Sequence, residues 1–392
     1  MRRNATVVVG LTIVALLPMF APRAFVSATP PTGLAAVVAY ALALLVPCAA
    51  AVAAWRLVPA PSGRRKAVLI LLFSILAAHL TLLHLRLVDQ ASYFPGQGNT
   101  QWQAEMNDAN VTRDPTAIPH SYRFLPDSLV QLFETLTGSF VFSRTVYRVT
   151  FGFLLLLAIH RFATIYLSQT GALVVVLLYC LAYPVTIWAY AGQLNDPLSH
   201  LSFVVAFLAL ESGAFVYFLL AVAIGALAKE SVVAMLGYYL LFHGPRDRKF
   251  WGRFCLAAVV SLAVVVGSRM SVAPGGFSYS KVSGVTLDHI TANLAAYPLW
   301  VPQLVFSVGI FLPFVVLGWR GAPSTPRRLT AFMLPVLLVS SVLFSWLHEA
   351  RNYVPVMVPM AVITCGYLAG LWRGQGSATL DPQRKAEDAD TA

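Results

Sequence analysis

FVYFLLAVAIGALAKESVVAMLGYYLLF, residues 215–242, decides the fold: two apolar runs are parted only by Lys229, Glu230 and Ser231. Charged side chains are costly within hydrocarbon, so a pair confined to so short a break belongs at a membrane boundary, with an apolar helix on either side. Adjacent helical residues point about 100° apart, so Lys229 and Glu230 must find different partners. A phosphate for Lys229 and an ion pair with another loop are both open readings.

Working outward, further apolar stretches lie near 7–28, 33–55, 67–88, 142–160, 171–190, 197–211, 254–272, 299–319, 327–347 and 353–372. The chain of 392 residues is 58% hydrophobic and 11% charged, with mean hydropathy +0.73, which excludes an ordinary soluble domain. The expected fold class is all-α: a polytopic membrane helical bundle of about 12 spans with a long extracytoplasmic loop carrying a surface helix. It covers residues 1–373, and 374–392 reads as a disordered cytoplasmic tail. Residues 1–28 also fit a signal peptide, whose removal leaves the later topology unchanged.

Basic residues set the orientation, because short cytoplasmic loops are rich in Lys and Arg. With Arg2-Arg3 inside, alternation of the spans puts Arg64, Arg65, Lys66, Arg161, Arg246, Arg248, Lys249, Arg253, Arg320, Arg327 and Arg328 inside as well. Both termini are then cytoplasmic. The net charge of +11 reflects this asymmetry and attraction to anionic lipid, and needs no nucleic acid. The four cysteines, Cys48, Cys180, Cys255 and Cys365, fall in apolar stretches without metal-type spacing.

The same alternation gathers most polar clusters on the outer side: residues 89–148, Asn195-Asp196, Lys229-Glu230, 269–297 and His348-Glu349-Ala350-Arg351-Asn352. In the first, Pro95, Gly96, Gly98, Pro115 and Pro119 read as irregular loop. From Ser121 to Leu136, Phe124, Leu125, Leu129, Leu132, Phe133 and Leu136 recur at helical spacing against Arg123, Asp127 and Glu134, as in a helix lying on the membrane surface. The segment 273–297, with Lys281 and His289, could cover that face as a lid.

Candidate site residues follow from this convergence. Asp89, where the third span leaves the membrane, suits a general base for an acceptor hydroxyl, or merely ends a helix beside Arg86. Arg123 can hold a phosphate through paired hydrogen bonds, or snorkel among headgroups. Asn195-Asp196-Pro197 is an ordinary helix start, favouring a capping role, while Asp196 and His200, four apart, share a face and can orient each other or a metal. His348 is expected to be solvated, and Glu349 with Arg351 forms either an ion pair docking two helices or a binding corner.

Together, Asp89, Tyr122-Arg123-Phe124-Leu125-Pro126, Asn195-Asp196-Pro197, Ala226-Leu227-Ala228-Lys229-Glu230 and Glu349-Ala350-Arg351-Asn352-Tyr353 resemble the layout of integral-membrane glycosyltransferases of the C superfamily (GT-C fold). The resemblance covers about residues 67–360. It implies a polyprenyl-phosphate sugar donor, a glycan or lipid acceptor, membrane lipids as surroundings and no nucleic acid. It further implies Asp89 as the catalytic base, with inversion, and Lys229, Arg351 and Arg123 around the donor phosphate. Asp196, Glu230, Glu349, His348 and Tyr93 would bind substrate. No cofactor is required, and a divalent metal is compatible. The setting is a bacterial inner or plasma membrane with the active site extracytoplasmic. The chain departs from the pattern where Asp89 follows the third rather than the first span and is succeeded by Gln90 instead of a second acid. A multi-span transporter or lipid flippase, or a polysaccharide polymerase or ligase, is the competing expectation. An acyltransferase would depend on an embedded His79 or His84.

Overall fold

The computed structural model describes residues 63–90, 100–115, 120–188, 194–244, 246–272 and 285–372. These are helical throughout, with no strand among them. In chain order the helices are α1 (Gly63–Gln90), α2 (Thr100–Val111), α3 (Phe124–Thr137), α4 (Phe140–Ala163), α5 (Gln169–Trp188), α6 (Asn195–Glu211) and α7 (Phe215–Ala228). There follow α8 (Ala234–Phe242), α9 (Arg248–Met270), α10 (Leu287–Ala295), α11 (Tyr297–Leu304), α12 (Leu312–Gly318), α13 (Ser324–Phe344) and α14 (Val354–Trp372). Short 3-10 turns at His120–Tyr122, Glu230–Val233 and Ala350–Tyr353 precede α3, α8 and α14.

Local chemistry sets several boundaries. Gly138 closes α3 at φ 68°, a left-handed position that favours glycine. Ser139 then caps α4 by accepting from the Phe142 amide, and Asp247 caps α9 by accepting from Phe250 at 2.7 Å.

Five helical segments are long and apolar enough to cross a membrane: Gly63–Leu85, Phe140–Ala163, Arg248–Met270, Ser324–Phe344 and Ala350–Trp372. A sixth span results if Tyr297–Gly309 and Leu312–Gly321, bent by 42° after a π-helical turn at Val305–Gly309, count as one. A bundle of about twelve full spans is therefore not what the described residues carry. Within the described residues helices do occupy the expected stretches, but α7 has 14 residues, about 21 Å at ~1.5 Å per residue, short of a ~30 Å hydrocarbon core. Pro184 lies inside α5. The stretches 7–28 and 33–55, Tyr93, Lys281 and the tail 374–392 lie outside the described residues.

Burial separates inner from outer helices. α4 and α14 are mostly enclosed, whereas α9 and α13 are mostly exposed. The exposed side chains include Leu256, Val259 and Leu262 on α9 and Val339 on α13. Such apolar outer faces suit lipid and would be unfavourable in water. Close helix approach fixes the centre: a Cβ on Gly225 would lie 2.6 Å from Val232 Cγ1 and 2.8 Å from Ser202 Cβ, so glycine lets α7 pack tightly between α6 and the turn after Lys229.

The two ends of the bundle differ. At one, the Tyr166 hydroxyl lies near Glu211 and Thr325, and the Arg253 guanidinium lies 5.3 Å from the Phe215 ring. At the other, the starts of α6 and α14 meet the ends of α7 and α9 and the start of α3. The stretch expected to be irregular loop contains the helix α2 there, because Thr100–Val111 holds no proline or glycine. The surface helix begins at Phe124 rather than Ser121, after the His120–Tyr122 turn.

Candidate functional site

Asp196 stands at the centre of the second end. It opens α6 and is 1% exposed. Its Oδ2 accepts from Arg351 Nη1 at 3.1 Å, and its Oδ1 lies 3.8 Å from Lys229 Nζ. The capping reading is thereby corrected, since α6 has no side-chain cap. Two buried cations outcompete a backbone amide for the carboxylate, because a charge taken out of water needs a countercharge.

Arg351, 3% exposed, also donates through Nη2 to Glu349 at 2.9 Å. Lys229 Nζ donates to Asn352 Oδ1 at 2.5 Å, and Asn352 Nδ2 donates to Ser345 at 3.1 Å. The His200 ring meets the Arg351 carbonyl at 3.1 Å through Nε2. Thus α6, the end of α7 and the turn before α14 are joined through ionic side chains. Burial opposes ionisation of Glu349, but the guanidinium of Arg351 and the ammonium of Lys229 prevail and hold its carboxyl below the usual range.

A second cluster lies beside the first. Arg123 Nε donates to Glu230 Oε2 at 2.9 Å, and Arg269 Nη2 stands 3.7 Å from Glu230 Oε1. Arg269 also covers the ring of the fully buried Tyr122 at 5.3 Å. Lys229 and Glu230 therefore take different partners, as their positions require. His120 connects the clusters: burial, then the nearby Arg123 and Arg351, lower its pKa to about 3, while Glu349 and Glu230 act in the opposite sense. The imidazole is neutral at physiological pH.

Among the sequence candidates, the structure brings Asp196, Lys229, Glu349 and Arg351 into one cluster, with Arg123 and Glu230 alongside. His348 is buried rather than solvated, stacked on Trp346 with centroids 5.6 Å apart. Burial lowers its pKa and keeps it neutral. Asp89 lies in the last turn of α1. The contact of Phe73 with His160 and of Ala77 with Gly152 sets α1 antiparallel to α4, which brings the Asp89 backbone to the same end as the start of α4. Its side chain, like Tyr93, lies outside the described residues. No group of three or more His, Cys, Asp or Glu able to hold a metal occurs among the described residues.

Two arginines of α4 were missed. Arg148 is buried, hydrogen-bonded to Tyr183 and close enough to Asp196 to favour its ionised form. Arg144, fully buried, donates to Gln103. Their spacing of four within an apolar stretch was the available signal, since an arginine in a span points to a site by default.

No family model, curated protein or solved structure matches the chain. Its chemistry must therefore be read from the site. Among the described residues, Arg123, Arg148, Lys229, Arg269 and Arg351 face Asp196, Glu230 and Glu349, so cations outnumber carboxylates there. Buried and half-buried cations that outnumber the carboxylates beside them, held at helix ends, suit an anion.

Proposed function

We propose that this chain is a membrane-embedded glycosyltransferase that moves a sugar from a polyprenyl-phosphate donor to an acceptor hydroxyl of a cell-envelope glycan or glycolipid at the extracytoplasmic face. The observation that carries this reading is the joint hold of Lys229 and Arg351 on Asp196, with the further cations Arg148, Arg123 and Arg269 close by. The apolar stretches 7–28 and 33–55, with the short apolar helices, would complete a bundle of about twelve spans.

In this reading the donor's apolar chain lies among the helices and its phosphate meets Lys229 and Arg351, with Arg123 nearby. The acceptor oxygen attacks the anomeric carbon as the bond from that carbon to the phosphate oxygen breaks. The hydroxyl proton passes to the Asp89 carboxylate, and the bond pair leaves with the phosphate. A single displacement inverts the anomeric centre. Lys229 and Arg351 act where negative charge grows on the leaving phosphate. Asp196 and Glu349 hold those cations in place, and His348 packs the turn.

A transporter or flippase is the second reading, favoured by the bent pair Tyr297–Gly309 and Leu312–Gly321. Broken helices of that kind line substrate paths in transporters, but the ionic cluster here lies at helix ends. A polymerase or ligase would use the same donor chemistry with a longer acceptor.

Transfer of labelled sugar from a polyprenyl-phosphate donor by purified protein tests the proposal. Asp89→Asn and Lys229→Ala should each lower turnover by about 10²-fold or more, as loss of a proton acceptor or of charge stabilisation does, with folding retained. Full activity in Asp89→Asn would remove that residue from catalysis. Full activity in Lys229→Ala would remove the phosphate assignment.

A further inference from the structure

A cleft of about 410 Å³, counting the open solvent at its mouth, lies between α2, α3, the His120–Tyr122 turn and the start of α6, beside the ionic cluster. Trp102, Gln103, Asn110, His120, Asp127 and Asn195 line it. Its chemistry differs from that of the neighbouring cluster. Burial raises the Asp127 pKa to about 8 against a weaker opposing hydrogen bond from Asn110, so Asp127 is mostly protonated at neutral pH. His120 is neutral as well. Arg123, at the edge, has its charge met by Glu230.

Three amides in this lining are at least nine-tenths buried and only partly used. Gln103 accepts from Arg144 through Oε1, but its Nε2 has no hydrogen-bond partner among the described residues. Asn110 hydrogen-bonds Asp127, while among the described residues its Oδ1 has no partner, and neither has Asn195 Oδ1. A buried amide left without a partner is unfavourable, and a native fold seldom keeps several together without something to pair with them. One open donor and two open acceptors, with no net charge and an indole alongside, match a ligand whose groups both donate and accept. Hydroxyls do so. The indole supplies a flat apolar surface for the C–H face of a pyranose ring.

We propose that this cleft binds an uncharged saccharide, with Gln103, Asn110 and Asn195 reading its hydroxyls and Trp102 packing on a ring face. Under the glycosyltransferase reading, on which only this role depends, the saccharide is the acceptor, seated beside the phosphate cluster. Binding itself does not require that reading.

The test applies the full chain in lipid nanodiscs to an array of immobilised uncharged and acidic oligosaccharides, and separately measures binding of undecaprenyl phosphate. The expected result is retention on uncharged glycans, weakened at least tenfold by Trp102→Ala and by Gln103→Glu, which keeps the acceptor for Arg144 but removes the open donor. Both variants should bind undecaprenyl phosphate as wild type does, which also shows that they fold. Lys229→Ala should behave in the opposite way, losing the phosphate lipid and keeping the glycan, so failure of either assignment is seen separately. Absence of binding to every uncharged glycan, a preference for acidic ones, or equal glycan binding by the Trp102 and Gln103 variants would overturn the proposal.

Discussion

Removing the Asp196 carboxylate is the most informative perturbation of the cluster. Arg351 and Lys229 stand 3.1 and 3.8 Å from its oxygens. At an effective dielectric constant of ~20, unit charges at such distances attract by about 4–5 kcal/mol. Desolvation offsets much of this, because Asp196 and Arg351 are 1% and 3% exposed. The intact pair therefore adds little net stability, whereas removing one member strands a buried charge at a cost of about 3–5 kcal/mol. Asp196→Asn keeps the shape and removes only the charge, so it should lose stability on that scale. Arg351→Gln should do likewise, and the double variant should cost less than the sum by about 1–3 kcal/mol. Resistance to denaturant in detergent micelles, followed by tryptophan fluorescence for the four proteins, gives the coupling. If Asp196→Asn costs under about 1 kcal/mol and the effects simply add, the ionic core described here is not the buried, coupled unit that the argument requires.

Two further outcomes follow from the packing and protonation. The folded Asp127 pKa of about 8 lies above the unsupported value of 3.8, so its contribution to stability is fully present below about 3.8 and is lost as pH rises to about 8. Thermal unfolding across that range should show the loss in wild type and a shallower dependence in Asp127→Asn; identical profiles would contradict the assignment. Gly225→Val places branched atoms where even a Cβ would lie 2.6 Å from Val232 Cγ1, and should lower stability by about 1–3 kcal/mol or more while displacing Lys229. An unchanged denaturation midpoint would show that α7 has room to move.

Much of the helical layout was legible because apolar length and flanking charge are local properties. The break at Lys229-Glu230 and the different partners of its two charges could be read from 215–242 alone. Span lengths were less legible: α7 is short, and the π turn at Val305–Gly309 bends a stretch that hydropathy reads as continuous. The site was legible in composition but not in pairing. Asp196 and Arg351 are 155 positions apart, and nothing local distinguishes a carboxylate that caps a helix from one that holds a distant guanidinium. His120 drew no attention in the sequence, and only the tertiary fold sets it close to Arg123, Arg351, Glu349 and Glu230.

The central claim is that Lys229 and Arg351 form a seat for a lipid phosphate. Native mass spectrometry of the purified protein with undecaprenyl phosphate, and with uncharged undecaprenol as the control, addresses it directly. The account predicts retention of the phosphate lipid by wild type, at least tenfold weaker retention by Lys229→Ala and by Arg351→Gln, and equal retention of the alcohol by all three. Equal retention of the phosphate lipid by the three proteins would contradict it.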